Sequence, residues 1–218
     1  MKRLLILAEG QTEETFVKGI LAPHLVSFGI TAAVTCICTR VTSGRREQRG
    51  GISNYEKVRN DLRRLLSSNP TAVTTMFDYY GLPKDFPGRN TASKIIGHIE
   101  RATHVERELA KDVNDHRFIP NILIHEFEAL LFSSPGTIAN VLLDETIRES
   151  LENQAAAFGS PEEINDSPST APSKRILALC SVYRKALHGP SIAAKIGLAN
   201  IRARCPHFDA WVDRLEKI

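Results

Sequence analysis

Leu4-Leu5-Ile6-Leu7-Ala8-Glu9-Gly10-Gln11-Thr12-Glu13-Glu14-Thr15-Phe16 is the stretch whose reading decides the fold. An unbroken apolar run stops at Glu9-Gly10, and a helix-start signal follows at once. A short continuous run of this kind suits a strand buried on both faces of a parallel sheet. Thr12, Glu14 and Thr15 supply the oxygens and negative charge that a first helical turn favours. Gly10 permits a tight turn between the two elements. Glu9 is therefore predicted at the carboxyl end of a central strand, where open α/β sheets place their ligands.

Outward from that point the same alternation repeats. Phe16, Val17, Ile20, Leu21, Leu25 and Phe28 recur at helical spacing and Gly29 closes the helix. Residues 32–38 read as a second strand, followed by a polar, arginine- and glycine-rich loop over 39–51 with no apolar period. Tyr55, Val58, Leu62, Leu65 and Leu66 mark a second helix. Residues 72–77 form a third strand ending on Asp78, and a Pro/Gly loop runs from Lys84 to Asn90. A long helix is predicted to bury Ile95, Ile96, Ile99, Ala102, Leu109 and Val113. A fourth strand, 118–124, enters His125-Glu126-Phe127-Glu128. Strands alternating with helices imply a mostly parallel sheet with helices on both faces.

From Ser134 the pattern becomes helical throughout, with Ser134-Pro135 as a start, continuation from Ile138 to Leu151, and a polar linker over 159–172. Ser173 is predicted to cap a helix holding Ile176, Leu177, Cys180, Tyr183 and Leu187. Two further helical stretches, 192–201 and 208–215, follow. The reading divides the chain into an α/β core of about four strands over 1–133 and a helical region over 134–218 packed on it.

Composition narrows the class. With 42% hydrophobic and 24% charged residues the chain is an ordinary globular sequence, and a net charge of +3 permits a polyanionic partner without requiring one. Cys36, Cys38, Cys180 and Cys205 lack the paired spacing of a zinc ribbon. The apolar run near the N-terminus is too short for a signal peptide or a membrane span, so a reduced, cytoplasmic setting is expected. The histidines show no metal spacing, and no phosphate-binding glycine loop, nucleophile elbow or zinc-protease motif occurs.

The chemistry-bearing residues are acidic. Glu9 and Asp78 end two strands of one parallel sheet, so both belong to the same edge. Two carboxylates there repel unless a cation lies between them or one keeps its proton. Magnesium suits such a place because it needs only one or two protein carboxylates; the alternative is that each caps a neighbouring helix. If the fourth strand continues, Glu126 and Glu128 share a face, and if a helix has begun, His125 and Glu128 do. A salt bridge to Arg or Lys is the alternative for these two. Arg40, Arg45, Arg46 and Arg49 have the planar fork that matches phosphates, against the plain reading of a solvated loop. Lys84, Arg89 and Lys94 follow the Asp78 strand end. Lys174 and Arg175 open a helix where cations oppose the dipole, a hint of an anionic partner.

The blocks Glu9-Gly10-Gln11-Thr12-Glu13-Glu14, Phe77-Asp78-Tyr79-Tyr80-Gly81 and His125-Glu126-Phe127-Glu128-Ala129-Leu130-Leu131-Phe132 together resemble the bacterial domain-of-unknown-function family 4276. The likeness continues through Ile164-Asn165-Asp166, Thr170 to Ile176 and Cys205-Pro206-His207-Phe208. That family is grouped with Toprim-like domains, including the nucleases of the overcoming-lysogenization-defect group. The resemblance implies a Toprim-like sheet with a Glu ending the first strand and an Asp-x-Asp ending the third, together holding magnesium or manganese. It also implies a nuclease or phosphoryl-transfer activity on DNA or RNA, an ATPase partner, and a place in phage defence or a mobile element. Glu9 matches the Toprim Glu and Asp78 the first Asp, but Tyr80 stands where the second Asp belongs. Glu126 or Glu128 is expected to substitute, with Asp85 as a further candidate. A non-catalytic nucleic-acid- or ATPase-binding partner, and a nucleotide-binding regulator, are the rival functions.

Overall fold

In a computed structural model of the chain, the described residues are 1–37, 40–42, 45–47, 51–165 and 167–218. Cys38, Arg49 and Asp166 lie outside them, as do the side chains of Arg40, Arg45 and Arg46. The apolar run that opens the chain forms β1 (Lys2–Ala8), and the helix-start signal gives α1 (Gln11–Phe16). A π-helical turn (Val17–Leu21) joins α1 to α2 (Ala22–Val26). Pro23 has no N–H to return to Gly19, which accounts for the widened turn. Gly29, at φ 73, then reverses the chain into β2 (Ile30–Cys36), which starts and ends two residues earlier than 32–38.

The segment expected to be a loop contains an antiparallel hairpin, β3 (Arg40–Thr42) with β4 (Arg45–Glu47), in which Val41 pairs with Arg46. The β-branched Val41 and Thr42 before a Ser-Gly dipeptide are strand-and-turn chemistry that the surrounding arginines obscure. Asn54 then caps α3 (Tyr55–Ser67) through the Lys57 N–H at 3.1 Å. Next comes β5 (Ala72–Asp78), buried along its length up to Asp78 and followed by a 3₁₀ turn over Tyr79–Gly81.

The long helix is shorter than its apolar residues indicate. After α4 (Arg89–Ala92), Gly97 at φ 95 interrupts the chain, and α5 runs from His98 to Val113. Ile96, expected on the buried stripe, is 92% exposed. The fourth strand is split into β6 (Phe118–Ile119) and β7 (Ile122–Leu123), because Pro120 removes a ladder donor. Thr75 bridges the gap: its Oγ1 accepts from the Asn121 N–H (3.0 Å) and donates to the Asn121 carbonyl (2.8 Å). The sheet is five-stranded and parallel, in the order β2-β1-β5-β6, with β7 also on β5.

The C-terminal half is helical with more interruptions than expected. Its helices are α6 (Pro135–Leu142), α7 (Arg148–Ala156), α8 (Pro172–Leu179), α9 (Lys185–Ile196), α10 (Leu198–Arg204) and α11 (Pro206–Glu216). The expected helix to Leu151 breaks where Leu143 adopts φ 56 and Asp144 caps a 3₁₀ turn. Tyr183 lies between α8 and α9, and Leu187 belongs to α9. Ser173 is not a cap: Ala171 holds that position, and Ser173 sits inside the first turn behind Pro172.

β1 divides the interior. Leu4 and Ile6 face a core shared with Phe16, Phe127, Phe208 and Trp211, while Leu7 faces the core beneath α3 and α5. The indole N–H of Trp211 donates to Thr74 Oγ1 at 2.9 Å, joining α11 to the sheet. No helix is long and apolar enough to cross a membrane among the described residues.

Candidate functional site

β1 and β5 are neighbours of equal polarity, so Glu9 and Asp78 emerge at the same edge of the sheet. Glu9 Oε2 accepts the backbone N–H of Asp78 at 3.1 Å, and Asp78 Oδ1 accepts the backbone N–H of Phe127 at 2.8 Å. Glu13 closes the first turn of α1, where its Oε2 accepts the Gly10 N–H at 2.9 Å. These three carboxylates, with Glu128 and Lys185, line an open cleft of about 500 Å³. Glu9 and Asp78 keep some exposure on the cleft side, whereas Glu13 and Glu128 are buried.

The HEFE block resolves into neither of the two simple geometries. His125 takes φ 64, Glu126 is extended, and a 3₁₀ helix runs from Phe127 to Ser133. Both acids then reach Lys185 at the first position of α9. Its Nζ lies 3.3 Å from Glu126 Oε1 and 3.1 Å from Glu128 Oε2. Glu126 Oε2 also accepts the Ser173 N–H (3.1 Å), and Tyr183 donates its hydroxyl to Glu128 Oε1 (3.1 Å). Helix α9 comes this close because Gly189 lacks a side chain. A Cβ there would lie 3.3 Å from Thr12 Cγ2 and 3.4 Å from Phe127 Cε1.

The electrostatics follow from burial first and from crowding like charges second. Burial raises the pKa of Glu9, with Glu126 and Glu128 adding to it, while the Asp78 N–H and Lys185 oppose. Asp78 is raised well above the usual carboxylate range by burial and then by Glu9, Glu13 and Glu128. Glu13 is pushed up to about 7 by burial and by Glu9, and Glu128 rises with burial against the pull of Lys185. Burial alone would lower Lys185, but Glu128, Asp78 and Glu126 outweigh it and hold the ammonium charged.

Other expected site residues lie elsewhere or do other work. Tyr80 turns its hydroxyl to the Asn165 amide and to His125 Nδ1 (3.2 Å), lining a separate small pocket with His98 and Arg101. Arg89 stacks on Tyr79 at 4.4 Å from the ring centre and donates to its hydroxyl at 3.1 Å, so its cation is engaged on the protein itself. Lys84 is exposed on the loop after the Asp78 turn. Asp85 accepts the Tyr55 N–H at 3.0 Å, which ties down the start of α3. Arg175 donates to the Thr170 carbonyl (2.9 Å) and stacks on Phe158, a local partner in place of an anionic ligand. Gly51, which ends the arginine-rich segment, lines the acidic cleft.

Two members of the cluster were not picked out in the sequence, Glu13 and Lys185. Glu13 reads as a helix-capping acid, which it also is. Lys185 carries no such signal, because the sequence places it inside the helix that holds Tyr183 and Leu187, and only the structure puts it at the start of α9.

The donor set suits a hard divalent cation: carboxylate oxygens from two strand ends, a helix start and the HEFE turn, facing the ammonium of Lys185 among the described residues. In this geometry, among the described residues, no three His, Cys, Asp or Glu side chains are gathered closely enough to cage a metal. Glu9 and Asp78 fit the lesser requirement of magnesium for one or two carboxylates with water completing the shell.

The family described as Domain of unknown function (DUF4276) matches residues 8–216. No curated protein matches the chain. Among solved structures, the C-terminal region of the OLD protein of Xanthomonas campestris pv. campestris is similar over 99% of this chain and 96% of that one, with 16% identity and a TM-score of 0.39. At that score the likeness decides nothing about chemistry.

Proposed function

The chain belongs to the family described as Domain of unknown function (DUF4276), and we propose that it works as a magnesium- or manganese-dependent phosphoryl-transfer enzyme, a nuclease acting on DNA or RNA. The observation that carries this reading is the convergence of Glu9, Asp78, Glu13 and Glu128 on one open cleft at the carboxyl edge of the sheet. Burial raises the pKa of Asp78 and its acidic neighbours add to that rise, a cost that a fold bears where a cation is to be held.

Glu9 and Asp78 would hold the ion, with Glu128 and Glu126 completing the negative wall. Bound there, a divalent cation supplies polarisation of a phosphodiester and neutralisation of charge on the leaving oxygen. The protein's own groups fix the rest. The N–H groups of Asp78 and Phe127 orient the Glu9 and Asp78 carboxylates. Glu13 accepts the Gly10 N–H and adds its carboxyl group to the wall of the cleft. Arg45, Arg46 and Lys84 are the candidates for flanking phosphates. The test is metal-dependent cleavage of single- and double-stranded substrates by wild type and Glu9→Gln. Activity that needs manganese or magnesium and disappears in Glu9→Gln supports the reading; full activity in the variant removes Glu9 from it.

A non-catalytic role, as a nucleic-acid- or ATPase-binding partner in a phage-defence or mobile-element system, is favoured by one specific feature. Lys185 already places a positive charge among the carboxylates, and Tyr80 at the second acidic position is committed to Asn165 and His125. This rival expects salt-dependent nucleic-acid binding that a chelator leaves unchanged.

A further inference from the structure

Lys185 is held at a distinctive point. It begins α9, where the helix dipole disfavours a cation, yet its ammonium sits 3.1 Å from the buried Glu128 and 3.3 Å from Glu126. Its side chain remains 41% exposed, so the long stem has a route into the cleft. The acids around it are engaged by that ammonium and by backbone N–H groups, and among the described residues no three of them are gathered for a metal. A divalent ion entering beside Glu128 would place like charges within a few ångströms of each other at low effective dielectric, a repulsion of several kcal/mol before screening. One of the two cations must yield, and the tethered one has somewhere to go.

We infer that Lys185 is a built-in counter-ion that competes with the divalent cation for the acidic cluster, so that loading the metal expels the lysine from its seat between Glu126 and Glu128. The inference rests on the metal reading of the same cleft. It makes Lys185 the residue that sets the affinity of the site: the acids are kept from mutual repulsion without metal, and the metal is bound only as tightly as it can displace an ammonium. It also separates this lysine from an ordinary structural salt bridge, which would stay in place when metal binds.

The experiment is calorimetric titration of manganese into the full chain at one mildly alkaline pH, for wild type, Lys185→Met and Lys185→Arg. Lys185→Met should bind manganese about tenfold or more tightly than wild type, and Lys185→Arg should stay close to wild type. Equal or weaker binding by Lys185→Met overturns the competition while leaving the metal reading intact. No manganese uptake by any of the three proteins removes the metal reading and this inference together. A second measurement needs no variant: reductive methylation of wild type, followed by peptide mass spectrometry. Manganese should speed modification of Lys185 several-fold relative to the exposed Lys2. An unchanged or slower rate would show the ammonium still seated.

Discussion

Glu9 accepts the backbone N–H of Asp78 at 3.1 Å, and the space its carboxylate occupies exists because residue 81 is glycine. A Cβ on Gly81 would lie 2.5 Å from both Glu9 carboxylate oxygens. The end of β1 and the turn after β5 thus fit each other through one acid and one missing side chain.

Gly81→Ala should therefore displace the Glu9 carboxylate and not merely loosen a turn. We expect little change in stability by denaturant unfolding, because the atoms that must move are the far end of a flexible side chain facing the cleft, but a manganese affinity at least about tenfold lower. Unaltered metal binding in a folded Gly81→Ala protein would mean that the position of Glu9 is not critical.

Glu13 gives a pH signature. Its folded pKa of about 7 stands above the ordinary 4.5, so the folded chain holds a proton that the unfolded chain has released between those values. The stability this brings is complete below the unfolded value and is lost as pH rises through 7. Glu13→Gln, neutral throughout and still able to accept the Gly10 N–H, should melt above wild type near pH 8 and lose that advantage near pH 5, a swing on the order of 2 kcal/mol. A pH-independent difference in melting temperature would contradict the shared-charge picture of Glu9 and Glu13.

Tyr80 should behave as an anchor outside the cation site. Tyr80→Phe leaves the Asn165 amide and His125 without their shared hydroxyl, at a cost of about 1–2 kcal/mol. Manganese affinity should be unchanged. A metal affinity that falls in this variant would return Tyr80 to the cluster.

The helical half should prove inseparable from the sheet. Thr74 Oγ1 donates to the Ile119 carbonyl at 2.6 Å and accepts the Trp211 indole N–H. Thr74→Val strands that buried indole donor and should cost about 1–3 kcal/mol, read as a fall of roughly 2–4 °C in melting temperature per kcal/mol. A single cooperative transition should persist; two transitions would show separate units.

The sequence was legible where structure is set locally. A continuous apolar run ending on an acid fixed Glu9 and Asp78 at one sheet edge, because parallel strands carry that information in their own residues. Boundaries governed by single backbone events were less legible: Pro120 splits a strand, Gly97 delays α5, and the β-branched Val41 and Thr42 belong to a hairpin inside an arginine-rich segment. Lys185 was out of reach for a different reason. Its place depends on α9 docking against α1 through Gly189, a contact between distant segments that no periodicity encodes. Arg89 was legible as a cation beyond the Asp78 strand end, but its contact with the ring face and hydroxyl of Tyr79 was not, because that contact is set by the fold of the loop.

The most direct measurement is the anomalous difference map of a crystal soaked in manganese. A peak between the carboxylates of Glu9 and Asp78, with Lys185 Nζ withdrawn from Glu128, is the expected result. Manganese bound at other sites, with this cleft empty and the Lys185–Glu128 pair intact, would contradict the account.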